Sequence, residues 1–559
     1  MTNKTQKLEL TWIGKDNQPK LEPRILIEDP EKSYGDKNSE NMLIYGDNLL
    51  ALKALEQDFA GKIKCVCTDP PYNTGSAFVS YDDGLEHSIW LNLMKARLEI
   101  LYKLLSIHGV IYIHIDEREQ AYLKVLCDEI FGRKNFVCTF IWEARSGQGN
   151  TVGHIAEFHE YILCYAKDIT QVSFKKIENI AKKGNFSDEK GFYTREQLRQ
   201  WGQGDRKEDR PTMFYSVIAP NGAKIYPKRP DGTDGRWRCS KETMATLLRN
   251  GDVDFVQDEK GNWQCYKKIR EGRVTFSAYG TILTNIGTAS TATKELKVLF
   301  DGNKVFETPK PENLVHHLLN LIVNKGDIIL DSFAGSGTTG TVAHKMNCHW
   351  IMIELNEHCQ SVVIPRMKKV IDGTDQGGIS KAVNWQGGGG FKYYYLAPSL
   401  LKKDKHDNWI IDERYNADML AASMAKHEGF RYCPDEHIYW KQGRSTEKDY
   451  IFITTQFVTV QFLDKIHEEM KPDESLLICC KSFQEACENR YATITIKKIP
   501  NMLLGRCEFG KEDYSLNIVN LPVEPDTAES EPHTDTKTAS KKPKRSVRNL
   551  PLFDEDSEL

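Results

Sequence analysis

Short apolar runs alternate with helical stripes in two separate stretches of this chain. In the first stretch, the runs Met42–Tyr45, Ile63–Thr68 and 110–115 have the length of buried strands, and helical apolar stripes lie between them. The second stretch repeats the pattern, with strand-like runs at 327–330 and 350–353. Strands that alternate with helices predict an α/β fold with a mostly parallel, doubly wound sheet.

Each of these five runs ends at or just before an acidic residue. The five residues are Asp47, Asp69, Asp116, Asp331 and Glu354. Ligands of open α/β sheets bind beyond the carboxyl ends of the strands, so parallel neighbours would place these carboxylates along one edge. Asp47 and Asp116 also precede helical stretches, and the alternative for both is a simple helix N-cap.

A segment rich in Gly, Arg, Lys, Trp and Tyr interrupts the alternation and is predicted to be an inserted module, residues 167–290. Residues 171–275 carry 22 Lys and Arg against 15 Asp and Glu, whereas the whole chain has a net charge of −4. A near-neutral protein with one basic module is compatible with local contact to DNA. The alternative is a solvated basic surface.

Changes in pattern and composition predict the other boundaries. Residues 1–40 lack periodicity and are expected to form an N-terminal arm, while 41–166 and 291–395 are the two halves of the sheet domain. Residues 396–523 are predicted to form a smaller C-terminal α/β domain. The chain is rich in Pro, Ser, Thr, Lys and Glu from residue 524 to 559, which predicts a disordered tail.

The composition bears on the cellular location of the protein and on metal binding. No apolar run approaches the roughly 20 residues of a membrane-spanning helix. The polar N-terminus has no apolar core of a signal peptide, so we expect a cytoplasmic protein. The 14 cysteines are scattered without a repeated CxxC pair at zinc-finger spacing, and no metal site is predicted.

The sequence Asp69-Pro70-Pro71-Tyr72 directly follows a predicted strand. Two consecutive prolines remove two backbone donors and fix two φ angles, which makes the turn rigid. The Asp69 carboxylate and the Pro70 carbonyl can accept the two N6 hydrogens of a flipped adenine, while Tyr72 stacks on the base. The alternative is an ordinary Pro-Pro turn with an exposed tyrosine.

A glycine-rich loop lies between a strand and a helix at residues 331–340. Gly335 and Gly337 fit a GxGxxG pattern, in which glycines let the backbone approach a nucleoside closely. Glu354, at the end of the next strand, can bind ribose hydroxyls, and Phe333 can pack beside an adenosine. An NAD-dependent oxidoreductase has a similar loop and remains an alternative, although it leaves Asp-Pro-Pro-Tyr and the basic insert unexplained.

Together, Asp-Pro-Pro-Tyr followed by Phe-x-Gly-x-Gly resembles the DNA amino-methyltransferases, and this order resembles their β-class. The segments 45–49, 73–75, 210–215 and 385–392 are similar to the modification subunits of type III restriction–modification systems. The resemblance covers residues 41–165 and 291–395, is weaker in the insert and the C-terminal domain, and is absent from the tail.

This resemblance implies a Rossmann-like methyltransferase sheet, S-adenosylmethionine as methyl donor, and an insert that recognises double-stranded DNA. It implies adenine N6 as acceptor, because Asp occupies the first position of the catalytic motif, and it implies a homodimer. Since the chain has no Gly-x-x-x-x-Gly-Lys-Ser/Thr loop, cleavage would belong to a separate restriction subunit. A solitary adenine or cytosine-N4 methyltransferase has the same motifs and remains an alternative.

The resemblance also assigns roles to residues. It implies a catalytic loop of Asp69, Pro70, Pro71 and Tyr72. The implied cofactor contacts are Asp47, Lys310, Asp331, Phe333, Gly335, Gly337 and Glu354.

Overall fold

The computed structural model describes residues 9–72, 87–146, 155–259 and 261–514, and the backbone alone of 77–78 and 81–82. The predicted tail, 524–559, and the 73–75 segment of the resemblance lie outside the described residues. Within the described ranges, no helix is both long enough and apolar enough to cross a membrane.

A mixed sheet of eleven strands organises the described part of the sheet domain. Ten strands follow one another across the sheet in the order Leu26–Glu28, Gly390–Leu396, Met42–Tyr45, His349–Glu354, Ile328–Asp331, Ile63–Thr68, Leu105–Ile115, His159–Ala166, Phe136–Glu143 and Ile282–Leu283. The eleventh strand, Tyr34–Gly35, also pairs with Gly390–Leu396. The strands from Gly390–Leu396 to Leu105–Ile115 are all parallel. The predicted mostly parallel sheet is therefore confirmed.

Helices cover both faces of the parallel strands. One face packs against Asn48–Phe59, His87–Leu104 and Glu117–Cys127. The other packs against Glu312–Asn320, Thr338–Lys345 and Ile364–Ile371. Burial on both sides explains why the central strands are continuous apolar runs rather than alternating ones. The helices confirm the doubly wound arrangement.

The N-terminal arm has more regular structure than its sequence predicted. Its strands Leu26–Glu28 and Tyr34–Gly35 both pair antiparallel with Gly390–Leu396 at one edge of the sheet. They contain only three and two residues, which is too short for a period-2 pattern to be recognised.

The insert begins where the chain leaves strand His159–Ala166, and the chain rejoins the sheet at Ile282–Leu283. Its main sheet has the order Phe186–Asp188, Gly191–Gln197, Trp263–Arg270 and Val253–Gln257. Further elements are the strand pairs Ile177–Ile180 with Val274–Ser277 and Val217–Ile218 with Lys224–Ile225, and the helix Lys241–Arg249. A separate apolar cluster around Trp237 and Met244 stabilises the module. Helix Ala289–Leu299 follows the return to the sheet.

A second sheet of five strands occupies the C-terminal region. Its order is Arg431–Tyr432, Gly443–Arg444, Asp449–Val458, Ser475–Phe483 and Ile494–Lys498. Its helices are Ala417–His427 and Val460–Glu469, and a small ribbon pairs Leu401–Lys403 with Trp409–Ile411. Outside the C-terminal region, a further short ribbon pairs Ala77–Phe78 with Tyr81–Asp82 and precedes helix His87–Leu104.

A buried ionic network joins the three helices on the glycine-loop face. The fully buried Lys345 ammonium donates to Glu312 and Asp375, at 2.8 Å from an oxygen of each. Arg366 donates to Glu312 at 3.2 Å and to the hydroxyl of Thr338 at 2.9 Å. Because every charge in this network has a partner, the helices can share an interior that would otherwise exclude ions.

Replacement of Lys345 with Met is expected to lower the free energy of unfolding by about 3–5 kcal/mol, because Glu312 and Asp375 lose their cation while they remain buried. Urea denaturation followed by circular dichroism measures this change. The exposed Lys381 provides the control, since Lys381→Met should change the stability by no more than about 0.5 kcal/mol. Equal stability of the two variants would contradict this account of the network.

Candidate active site

The five acidic residues at the strand ends lie in a row. In strand order they are Asp47, Glu354, Asp331, Asp69 and Asp116, which follow or end five adjacent parallel strands. The predicted alignment of these acids along one edge of the sheet is confirmed. It brings residues from both sides of the insert to the same place.

A cavity of about 580 Å³ opens at this edge. The Asp69–Tyr72 loop, the segment 304–310 and the glycine loop all line it. Asp116, Asp331 and Phe333 also belong to the lining, whereas Asp47, Gly337 and Glu354 do not. Its volume lies in the range of small-molecule and cofactor sites.

The Asp-Pro-Pro-Tyr loop presents acceptors to this cavity. Asp69 accepts a hydrogen bond from the Lys310 ammonium on Oδ2, at 2.7 Å. Its other oxygen, Oδ1, is buried and has no hydrogen-bond partner among the described residues. The Pro71 carbonyl accepts from the Trp90 indole at 2.7 Å, while no described residue donates to the Pro70 carbonyl. Within the described ranges, two acceptors on this rigid loop therefore have no donor.

The charge state of Asp69 is set by competing effects. Burial raises the pKa of its carboxyl, but the positive charge of Lys310, with further contributions from His114 and the neighbouring Tyr72 hydroxyl, outweighs burial and lowers it. Burial also lowers the pKa of His114, to about 4. Asp69 is thus ionised near neutral pH, beside a neutral imidazole.

Lys310 lies against the Asp-Pro-Pro-Tyr loop. Burial lowers the pKa of its ammonium, yet the charges and hydrogen bonds of Asp69 and Glu160 more than compensate and raise it. The ammonium is 5.0 Å from the centre of the Tyr72 ring. The Thr338 hydroxyl, at the start of the glycine-loop helix, donates to the Lys310 carbonyl at 3.1 Å. Lys310 therefore connects the glycine loop to the Asp-Pro-Pro-Tyr loop.

The glycine loop has the backbone that its sequence requires. Gly335 and Gly337 have φ angles of 53° and 79°, in the left-handed region that favours glycine. A Cβ atom on Gly335 would lie 3.2 Å from Cζ of Phe306. The Gly335 amide donates to Glu354 at 2.7 Å.

Two carboxylates near the loop are held by backbone amides. Glu354 accepts from Leu355 and Asn356 at 3.0 and 3.1 Å, and Asp331 accepts from Phe333 at 3.1 Å. Burial raises the pKa of Asp331 to about 7. A close backbone turn, an aromatic ring and carboxylates beside a cavity fit a nucleoside-type cofactor. The ribose role of Glu354 and the adenosine role of Phe333 stay predictions.

Asp47 and Asp116 both cap helices, as their alternative interpretation expected. The Asp47 carboxylate accepts from the Leu50 amide at 3.0 Å and lies 3.4 Å from the Arg97 guanidinium. It is 2% exposed and also accepts from the Tyr514 amide. Asp116 accepts from the Arg118 amide at 3.0 Å. A cofactor role for Asp47 stays a prediction that the cavity lining does not support.

Three residues of the site were not singled out by the sequence. Phe306 lies against Gly335 from a loop without a recognisable pattern. Glu160 accepts from the Tyr72 hydroxyl at 3.1 Å, from a strand that carries no motif. His114 was detectable in principle, because it is a polar residue within the otherwise apolar run 110–115.

The chain matches a known protein family over the residues that form this site. The model of a family described as DNA methylase matches residues 63–364, just over half of the chain. The match begins with the strand before Asp69 and includes the glycine loop and Glu354. The chain belongs to this family of DNA methylases.

Individual relatives show which members of this family the chain resembles. The chain is 32% identical over 421 residues to the probable type III restriction-modification enzyme HindVI Mod subunit of Haemophilus influenzae, an alignment that covers 64% of this chain and 54% of that protein. It is 31% identical over 437 residues to the EcoPI Mod subunit of Escherichia phage P1, covering 66% and 65%. The chain thus spans between half and two thirds of the length of these relatives.

A further relative belongs to another type of system. The type II methyltransferase M.KpnI of Klebsiella pneumoniae is 31% identical over 359 residues, which covers 57% of this chain and 80% of that protein.

Replacement of Gly335 with Asp is expected to abolish binding of S-adenosylmethionine. The new side chain would meet Phe306, strain a left-handed backbone and place a second carboxylate beside Glu354. Calorimetric titration measures the affinity. Gly280 is exposed and has open space around its Cβ position, so Gly280→Asp should bind like the unaltered protein. Unchanged affinity of Gly335→Asp would reject the assignment of the loop.

Proposed function

We propose that this protein transfers a methyl group from S-adenosylmethionine to N6 of an adenine in double-stranded DNA. We further propose that it is the modification subunit of a type III restriction–modification system. The observation that carries the first proposal is that, among the described residues, neither the buried Oδ1 of Asp69 nor the neighbouring Pro70 carbonyl has a hydrogen-bond donor. These two acceptors match the two hydrogens of one amino group.

The catalytic loop binds and orients the amine. Asp69 and the Pro70 carbonyl each accept one N6 hydrogen, which directs the nitrogen lone pair toward the methyl group. The cofactor supplies an electrophilic methyl on a sulfonium. Tyr72 stacks on the extruded base and replaces the stacking lost from the duplex.

Lys310 and the two prolines make the site ready before the substrate enters. Lys310 holds Asp69 in its ionised form, so both carboxylate oxygens act as acceptors. Pro70 and Pro71 restrict the backbone of the loop. No covalent protein intermediate is needed, and the rate enhancement comes from positioning and from fixed dipoles in a shielded cavity.

The insert is proposed to recognise the target sequence. Its surplus of Lys and Arg can neutralise phosphates or bind guanine edges. Trp201 is 65% exposed on a loop of this module and offers an aromatic surface to DNA. A cytoplasmic homodimer that works with a separate restriction subunit completes the proposal. The names of the relatives, which are Mod subunits of type III restriction-modification enzymes, support only the separate restriction subunit.

A second candidate is a methyltransferase that acts without a restriction subunit of the type III kind, favoured by the likeness to M.KpnI. Co-purification from the native host separates the two candidates. Mass analysis of methylated nucleosides separates adenine N6 from cytosine N4. Methylation mapping of DNA from cells that express the chain identifies the base and the recognised sequence together.

Replacement of Asp69 with Ala is expected to lower methyl transfer to DNA by more than about a hundredfold, because an acceptor for the amine is lost. Affinity for S-adenosylmethionine should be retained. Incorporation of labelled methyl groups and calorimetry measure the two properties. Glu468→Gln, on the exposed face of a C-terminal helix, is the control. Near-normal turnover of Asp69→Ala would sink the assignment.

Replacement of Lys310 with Met is expected to shift the acid limb of the pH–rate profile to higher pH. Burial raises the pKa of Asp69 and Lys310 lowers it, so loss of the cation leaves the effect of burial less opposed. Asp69 would then take up a proton at a higher pH and lose its acceptor character. Lys310→Arg keeps the charge and should keep the acid limb near its original place. An identical acid limb in Lys310→Met would contradict this role.

A further inference from the structure

Glu160 contacts two members of the catalytic constellation at once. Its Oε2 atom accepts from the Tyr72 hydroxyl at 3.1 Å and lies 3.5 Å from the Lys310 ammonium. Its side chain is only 18% exposed and lines the cavity. No motif assigns a role to this residue.

The backbone of Glu160 is firmly placed. It belongs to strand His159–Ala166, where it pairs with Trp142 of the neighbouring strand. The same strand pairs on its other side with Leu105–Ile115, which leads to Asp116. Glu160 itself is paired with Trp142 and directly precedes Tyr161, the last residue paired on the other side. A carboxylate on such a strand is a rigid anchor.

The Tyr72 ring depends on such an anchor. The prolines fix the backbone before it, and the Trp90 indole holds the Pro71 carbonyl. These restraints act on the main chain and do not by themselves place the side chain. The bond from its hydroxyl to Glu160 fixes the far end of the side chain and so limits the swing of the ring about the Cα–Cβ bond.

Lys310 connects Glu160 to the reacting group. Its ammonium lies between two carboxylates, 2.7 Å from Asp69 and 3.5 Å from Glu160, and near the Tyr72 ring. A buried ion pair offsets the cost of desolvation only when its geometry is good and its remaining polar groups also have partners. Glu160 therefore affects both the ring and the cation that orients Asp69.

We infer that Glu160 is a positioning residue for methyl transfer, which sets the orientation of the Tyr72 ring against the extruded base and steadies Lys310 beside Asp69. This inference rests on the proposed function. Glu160 does not touch the transferred methyl group, and it acts through Tyr72 and Lys310.

The test uses four variants of the full chain: Glu160→Gln, Glu160→Ala, Tyr72→Phe and the double variant Tyr72→Phe/Glu160→Ala. Glu160→Gln keeps an acceptor for the phenol but removes the charge, whereas Tyr72→Phe removes only the hydroxyl. The substrate is a duplex with the sequence mapped for the unaltered protein. A second duplex carries 2-aminopurine at the target base and reports base extrusion by fluorescence without methyl transfer.

Single-turnover transfer by Glu160→Ala should fall by about tenfold or more, since small errors of placement are costly in a positioned reaction. The 2-aminopurine signal should change in Glu160→Ala and Tyr72→Phe, because the stacking surface is misplaced. Glu160→Gln should recover part of the rate. The double variant should be no slower than Glu160→Ala, because both changes remove the same hydrogen bond. Affinity for S-adenosylmethionine should stay within about twofold, as expected of a residue that acts on the base side.

The opposite results overturn the inference. Wild-type rate in Glu160→Ala, or losses that simply multiply in the double variant, would show that Glu160 and Tyr72 act independently. If Glu160→Ala does not fold, Glu160→Gln and Tyr72→Phe decide alone: normal rates and 2-aminopurine signals in both reject the inference. If the unaltered protein methylates no DNA, the proposed function fails as well, and this outcome is separate from a failure confined to the variants.

Discussion

The central constraint of this structure is the parallel pairing of Ile328–Asp331 with Ile63–Thr68. These strands lie far apart in sequence, on opposite sides of the insert, yet they are neighbours in the sheet. Their carboxyl ends carry Asp331 and Asp69, so one backbone pairing brings the glycine loop beside the Asp-Pro-Pro-Tyr loop. Without this register, neither half of the site would have the other half within reach.

The salt bridge between Lys310 and Asp69 holds the same two parts of the site together through side chains. It joins residues 241 positions apart in a cavity where an isolated charge would be costly. Lys310 is in turn held by Thr338, and Thr338 by Arg366 and its buried ionic network. The acceptor geometry of Asp69 therefore depends on packing between helices on one face of the sheet.

The insert is added to the sheet domain without disturbing this core. The chain leaves the sheet after His159–Ala166 and rejoins it at Ile282–Leu283, both on the side away from Ile328–Asp331. The insert has its own apolar cluster, so its surface can vary while the parallel strands keep their order. Glu160 lies at the beginning of the strand from which the insert departs, and it contacts Tyr72 of the Asp-Pro-Pro-Tyr loop.

The sequence alone determined the features that are local. The apolar runs predicted the central strands, because a strand buried on both faces has no polar side. Asp69–Tyr72 and Gly335 were recognisable because prolines and glycines impose their own backbone geometry. Only the tertiary structure decided which groups meet: the pairing of Lys310 with Asp69, the contact of Glu160 with Tyr72, and the separation of Asp47 from the cavity. These outcomes depend on strand order and helix packing between distant segments, which leave no periodic or local trace in the sequence.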